Sequence, residues 1–196
     1  MTLTLALFPI LLEELYRIID GVKEDLRREK KRFADDLKIG VMLETPAAAL
    51  SADQFAQHCD FFSVGTNDLV QYTMAVDRGN ERVASLYRPF HPVILRLIRN
   101  IVKAAENAGI WVSVCGEMAS DPFYIPLLTG LGIRELSMSP VSLAQAKQVI
   151  RKMKYLDAEL LVNQALSCNS QDEVIALSKT FLQKISPEIA DSDNTN

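Results

Sequence analysis

The sequence predicts an α/β fold assembled from parallel β/α units, and three observations carry that expectation. About five short apolar runs alternate with helical periodicities as far as residue 153. The runs are apolar on both faces, as strands of a helix-covered parallel sheet should be. Polar residues gather just past their carboxyl ends: Glu44, then Asn67 and Asp68, then Cys115, Gly116 and Glu117. Barrels and open doubly wound sheets both place ligands at that rim, so these features leave the two architectures open. No glycine-rich phosphate fingerprint follows the first strand, which counts against a dinucleotide-binding sheet.

Taken in order, Thr2–Phe8 reads as a buried strand stopped by Pro9. Leu12, Leu15, Ile18, Ile19 and Val22 then mark one face of a helix over 11–33. Its end, Glu24 to Arg32, is a dense run of mixed charge and reads as a solvated face. Strands are expected at Lys38–Glu44, Asp60–Gly65, Ile110–Cys115 and Glu135–Met138. Helices are expected at Pro46–Gln57, Asn67–Ala75, His91–Ala108 (stopped by Gly109), Pro122–Thr129 and Leu143–Met153. Two more, Asp157–Leu166 and Gln171–Lys184, have no strand between them and form an appended layer. Residues 1–153 are therefore read as the β/α unit, 154–185 as added helices and 186–196 as a polar, disordered tail.

Composition excludes several classes. With 196 residues, 48% hydrophobic and 23% charged, the chain can bury a sizeable core. A net charge of -4 with no basic stripe argues against nucleic acid. The apolar run Leu3–Leu12 has no basic residue ahead of it and Glu13-Glu14 behind, so it is neither a signal peptide nor a membrane span. Three scattered cysteines, Cys59, Cys115 and Cys168, fit a reducing cytoplasm.

Chemistry concentrates in a few side chains. Glu44 and Asp68 are carboxylates at the mouths of adjacent strands, a pairing that suits Mg²⁺, although Asp68 also suits a helix cap. The turn Gly65-Thr66-Asn67-Asp68 directs helix-start amides to where a phosphate would sit. Arg78 is either an anion clamp or the partner of Asp77 or Glu81. Cys115 is either a nucleophile or proton donor at the rim, or a small buried hydrophobe. His58 and His91 lack metal-ligand spacing, and neither suits a phosphorylated histidine.

Four segments in register carry a resemblance: Val41–Ala49, Asp60–Leu69, Ala75–Glu81 and Val114–Met118. Together, in family order and from about residue 3 to residue 185, they resemble Enzyme I of the bacterial phosphoenolpyruvate:sugar phosphotransferase system. The resemblance implies a (β/α)₈ TIM barrel of the phosphoenolpyruvate/pyruvate type, incomplete here, with about strands four to eight. It implies that Glu44 and Asp68 hold Mg²⁺, that Asn67, the Asp68 backbone and Arg78 bind the phosphoryl group, and that Cys115 protonates the enolate. It implies phosphoenolpyruvate as substrate, a phosphocarrier protein as partner of the complete enzyme, and a homo-oligomer. The acceptor histidine and two further arginines of the family have no counterpart in these residues, and Leu7–Glu13 is shorter and more apolar than the family's turn. The isolated chain is therefore expected to be inactive. The barrels of pyruvate phosphate dikinase and phosphoenolpyruvate synthase share similar Asn-Asp and Cys-Gly segments and are the alternative. A chain acting only as a binding or oligomerisation module is a third reading.

Overall fold

The computed structural model describes residues 2–4 and 10–192. Five strands, β1 (Thr2–Thr4), β2 (Gly40–Leu43), β3 (Phe61–Gly65), β4 (Trp111–Cys115) and β5 (Glu135–Leu136), form one sheet in the order β1-β2-β3-β4-β5. Every neighbouring pair is parallel. Parallel crossovers are right-handed, so a sheet whose order never reverses carries its helices on one face.

Burial follows that asymmetry. Val41, Leu43, Phe62, Val64, Val112 and Val114 are at most 7% exposed and pack in one cluster with Ile94, Ile98 and Ile101. These last belong to helix α5 (Pro92–Ala108). The alternate positions form the other face: Gly40 and Met42, then Phe61, Ser63 and Gly65, then Trp111, Ser113 and Cys115. Phe61 and Trp111 stack there at 4.9 Å between ring centroids. That second face mixes rings, hydroxyls and glycine, so the strands are less uniformly apolar than a fully covered sheet requires.

Local chemistry accounts for the helix ends. α1 (Ile10–Arg28) buries Leu12, but Ile18 and Val22 of its apolar face remain exposed. It ends five residues before Phe33, at a turn where Lys30 takes a φ of 53°. The helix expected over Pro46–Gln57 is broken in two, α2 (Pro46–Leu50) and α3 (Ala52–Phe55). Thr45 Oγ1 caps α2 by accepting from the Ala48 N–H, and Ser51, at φ -100° and ψ 18°, interrupts the helical path. α4 (Thr66–Met74) ends at Ala75, and α5 is capped by His91 Nδ1 and stopped by Gly109.

A short helix α6 (Glu117–Ser120), absent from the sequence reading, follows β4, and α7 is confined to Ile125–Gly130. Asp121 accounts for that late start: its carboxylate takes the Phe123 N–H and its carbonyl the Tyr124 N–H in a turn. α8 (Leu143–Lys152), α9 (Tyr155–Ser167) and α10 (Gln171–Ile185) agree with expectation within three residues at each end. The tail expected to be disordered from Ser186 instead begins with α11 (Pro187–Ser192). Ile189 and Ala190 are buried there against Val149, Ala146 and Leu182, apolar contacts that a polar average hides. Residues 5–9 and 193–196, and with them most of Thr2–Phe8 and the Leu7–Pro9 turn, lie outside the described residues.

Candidate active site

The rim is built where β2, β3 and β4 end. Register pairs Leu43 with Val64 and Gly65 with Cys115, so Glu44, Gly65 and Cys115 lie on one line across three strands. Glu44 lies over Gly65: a Cβ there would come within 2.8 Å of Glu44 Oε2 and 2.9 Å of its Cβ. Only glycine leaves room for that carboxylate. Burial first, and the negative charge of Asp68 second, hold the Glu44 carboxyl above the ordinary glutamate range. The two carboxylates therefore act on one another across the rim.

The loops after β3 and β4 are bolted together. Thr66, fully buried, donates its hydroxyl to the Cys115 carbonyl at 2.8 Å. Asn67 Oδ1 accepts the Glu117 N–H at 3.0 Å, and among the described residues its Nδ2 has no hydrogen-bond partner. Gly116 makes both contacts possible. Its φ of +98° is closed to L side chains at low cost, and a Cβ would stand 2.6 Å from Thr66 Oγ1 and 2.8 Å from Asn67 Oδ1.

Arg78 comes from the segment after α4. Its N–H donates to Gln71 Oε1 at 3.1 Å, and its Nη1 lies 3.4 Å from Glu117 Oε1. Asp77 instead caps its own turn, accepting from the Gly79 N–H. Tyr87 donates its hydroxyl to the Asn67 carbonyl at 3.4 Å. Burial and then the charge of Glu117 raise the Tyr87 phenol, Arg78 lowers it, and Asp68 adds to the rise. One half-buried phenol thus feels Asp68, Arg78 and Glu117 together.

Cys115 is half-buried and its thiol is engaged. It donates to the Val64 carbonyl at 3.5 Å, and Ser63 Oγ, 3.8 Å away, donates to its sulfur. A cleft of about 320 Å³ opens beside it, lined by Asn67, Cys115, Gly116, Glu117 and Ser137. A larger apolar groove of about 600 Å³ runs along α9 and α10, past Leu160, Leu177 and Phe181. That groove brings Cys168 beside Glu173, but it lies among the appended helices away from the strand ends, whereas the smaller cleft opens at the carboxyl rim of β3 and β4.

The residues singled out in the sequence fall into place as follows. Asn67, Cys115 and Glu117 share one cleft wall, Arg78 reaches Glu117, and Glu44 and Asp68 are coupled electrostatically. Asp68 sits in the first turn of α4, and the helix has no side-chain cap. Cys59 donates to the Phe55 carbonyl, with burial pushing its thiol up to about 11, and Cys168 donates to the Gln164 carbonyl. His58 precedes β3 and so lies at the opposite end of the sheet, while the His91 ring is consumed as a helix cap. Thr66, Tyr87 and Ser63 were not read as site residues. Thr66 follows β3 directly, Ser63 lies inside it and Tyr87 sits between α4 and α5, so a hydroxyl was their only shared signal.

Among the described residues no three His, Cys, Asp or Glu side chains converge as a metal cage. Mg²⁺ does not need one: it keeps waters and takes one or two carboxylates with substrate oxygens. A mutually repelling carboxylate pair, with Glu44 partly desolvated, fits that demand. No helix among the described residues is long and apolar enough to cross a membrane.

Proteins named phosphoenolpyruvate-protein phosphotransferase are 48% identical over 166 residues in Streptococcus equinus, covering 84% of this chain and 29% of the relative. The relative from Geobacillus stearothermophilus is 49% identical over 170 residues, 87% of this chain and 28% of that protein. The one from Staphylococcus aureus is 45% identical over 174 residues, 89% and 29%. The chain thus spans under a third of the length of these relatives. The family described as PEP-utilising enzyme, PEP-binding domain, matches residues 8–155, well over half of the sequence, and the chain belongs to that family.

Proposed function

We propose that this chain is the phosphoenolpyruvate-binding part of a phosphoenolpyruvate-protein phosphotransferase. The observation that carries the reading is the bolted rim, where Thr66 holds the Cys115 carbonyl, Asn67 holds the Glu117 N–H and Arg78 reaches Glu117. The sequential strand order with helices on one face supports an incomplete (β/α)₈ barrel, whose sites lie at this carboxyl rim. A doubly wound sheet would need a reversal of order.

In this reading Arg78, the free Asn67 Nδ2 and the first amides of α4 bind the phosphoryl oxygens. Glu44 and Asp68 hold Mg²⁺, which when bound supplies positive charge to the transferring group. Phosphoryl transfer asks chiefly for such positioning and charge stabilisation. The phosphoryl group leaves for a histidine that is neither His58 nor His91, because the first sits at the far end of the sheet and the second is a cap. The leaving group is the enolate of pyruvate. Cys115 breaks its S–H bond, the enolate pair forms the new C–H bond at the methylene carbon, and sulfur keeps the thiol's electron pair until water returns a proton. A phosphocarrier protein receives the group from the complete enzyme. All three cysteines are free, in keeping with the cytoplasm. The exposed Ile18 and Val22 of α1, Leu156 and Leu160 of α9, and edge strands β1 and β5 support self-association, which sedimentation equilibrium would detect.

A chimera tests the reading: this chain replaces the matched segment of the Geobacillus stearothermophilus relative. Mg²⁺-dependent pyruvate release from phosphoenolpyruvate is expected, with Arg78→Ala and Asp68→Asn each lowering it by about 10²-fold or more, typical of losing one charge-stabilising group. Rates near the parent in both variants would sink the assignment.

A further inference from the structure

We propose that Ser63 is a positioning residue that holds the Cys115 sulfur and steadies the thiolate left when that sulfur gives up its proton. The inference rests on the reading of Cys115 as the acid and adds a partner to it. Ser63 is 7% exposed, on the helix-free face of β3, two residues before Gly65. It lies opposite Ser113, which is two residues before Cys115 on the same face of β4. The two buried hydroxyls nevertheless do different things. Ser113 donates to the Phe62 carbonyl at 3.2 Å and serves the sheet. Ser63 donates to the Cys115 sulfur at 3.8 Å.

The direction of these bonds matters. At rest the thiol hydrogen points at the Val64 carbonyl, 3.5 Å away, and the serine hydrogen points at sulfur. For Cys115 to protonate carbon, its S–H must swing from Val64 to the cleft. The Ser63 bond fixes the sulfur while the hydrogen turns. Once the proton has gone to the methylene carbon, sulfur carries a full negative charge in a half-buried place. A hydroxyl already aimed at it then makes a charge-assisted bond, stronger than the neutral one it replaces. Such a contact binds the product side of the proton transfer more tightly than the reactant side, which is what lowers a barrier. No proton moves to or from Ser63.

The test begins on the 196-residue chain, with alkylation of Cys115 by iodoacetamide at neutral pH, followed by mass spectrometry of its peptide. Ser63→Ala removes one donor to the reacting sulfur, and the alkylation rate should fall about threefold. Ser63→Thr, which keeps the hydroxyl, should restore the rate, and Ser113→Ala should leave it unchanged. An unchanged rate in Ser63→Ala, or an equal loss in Ser113→Ala, overturns the proposal. In the chimera, Ser63→Ala should slow pyruvate formation severalfold and leave single-turnover phosphorylation of histidine unchanged. Equal slowing of both steps also overturns it. If instead Cys115→Ala leaves pyruvate formation untouched, it is the reading of Cys115 as the acid that falls, whatever the alkylation shows.

Discussion

Substituting Gly116 by alanine is the sharpest perturbation of the rim, because the cost can be worked from its surroundings. The backbone at φ 98° and ψ -172° lies in a region open essentially to glycine, and holding an alanine there costs about 1–3 kcal/mol. The new Cβ would also meet Thr66 Oγ1 at 2.6 Å and Asn67 Oδ1 at 2.8 Å, so both side chains must withdraw. Their bonds to the Cys115 carbonyl and the Glu117 N–H are each worth roughly 0.5–1.5 kcal/mol. A total of about 2–6 kcal/mol corresponds to a fall in Tm of roughly 4–24 °C for a chain of this size. Gly109→Ala supplies the control. Its φ of +70° is also left-handed, but nothing lies within 4 Å of the new Cβ, so about 1–2 kcal/mol and a smaller shift are expected. Differential scanning calorimetry of the two variants measures the contrast, and titration of phosphoenolpyruvate with Mg²⁺ into the Gly116→Ala chimera should show lost binding. Equal melting shifts for Gly116→Ala and Gly109→Ala would refute the idea that the two loops are locked through this contact.

Three further outcomes follow from the same structure. Cys115→Ala in the chimera should phosphorylate histidine at close to the parent rate in a single turnover while pyruvate formation slows by 10²-fold or more, on the order of a lost general acid, as rapid quench would show. Tyr87→Phe should weaken phosphoenolpyruvate binding about fivefold with little change in Tm, since it frees the Asn67 carbonyl but keeps the ring; unchanged affinity in calorimetry would exclude a role in positioning. Asp60, held below the ordinary aspartate range chiefly by the Ile39 N–H and then by Lys38, should stabilise the chain above that range and lose the effect as pH falls through its lowered value. Asp60→Asn should therefore cost about 1–3 kcal/mol in neutral urea titrations and almost nothing in strong acid, and a pH-independent difference would contradict the assignment.

The parts of this fold that were legible in the sequence are those set by local periodicity. Strands such as Phe61–Gly65 and Trp111–Cys115 are short apolar runs bounded by turn residues, and α5 opens on Pro92 and stops at Gly109. Asn67, Asp68 and Cys115 were legible by position, because strand ends define a rim before any contact is known. The Thr66 bond to Cys115 crosses 49 residues and the Ser63 bond to the same residue 52, and no local pattern encodes such pairs. The break at Ser51 was illegible for a related reason: Ala47–Ala49 and Ala52–Gln57 are each helix-compatible, and packing on α5 decides where the path bends. The tail was misread because Ile189 and Ala190, only two apolar residues in a polar stretch, suffice to dock a single turn and a half on α8 and α10.

In the proposed reading, the rim would be completed by a ligand carrying both signs. Glu44 is partly desolvated and repelled by Asp68, a state that a cation relieves and that nothing among their described hydrogen bonds or ion pairs does. Arg78 meanwhile spends its charge on Glu117, an exposed contact 3.4 Å long and worth little in water. A ligand that brings a dication to the carboxylate pair and an anion to Arg78 therefore replaces one repulsion and one weak pair by two strong attractions. The backbone contributes without moving. Gly65 leaves room for the Glu44 carboxylate, and Gly116 for Thr66 and Asn67, which bond the Cys115 carbonyl and the Glu117 N–H. Because Thr66 and Asn67 are held by bonds between the loops, little ordering of those two side chains would remain when such a ligand arrives.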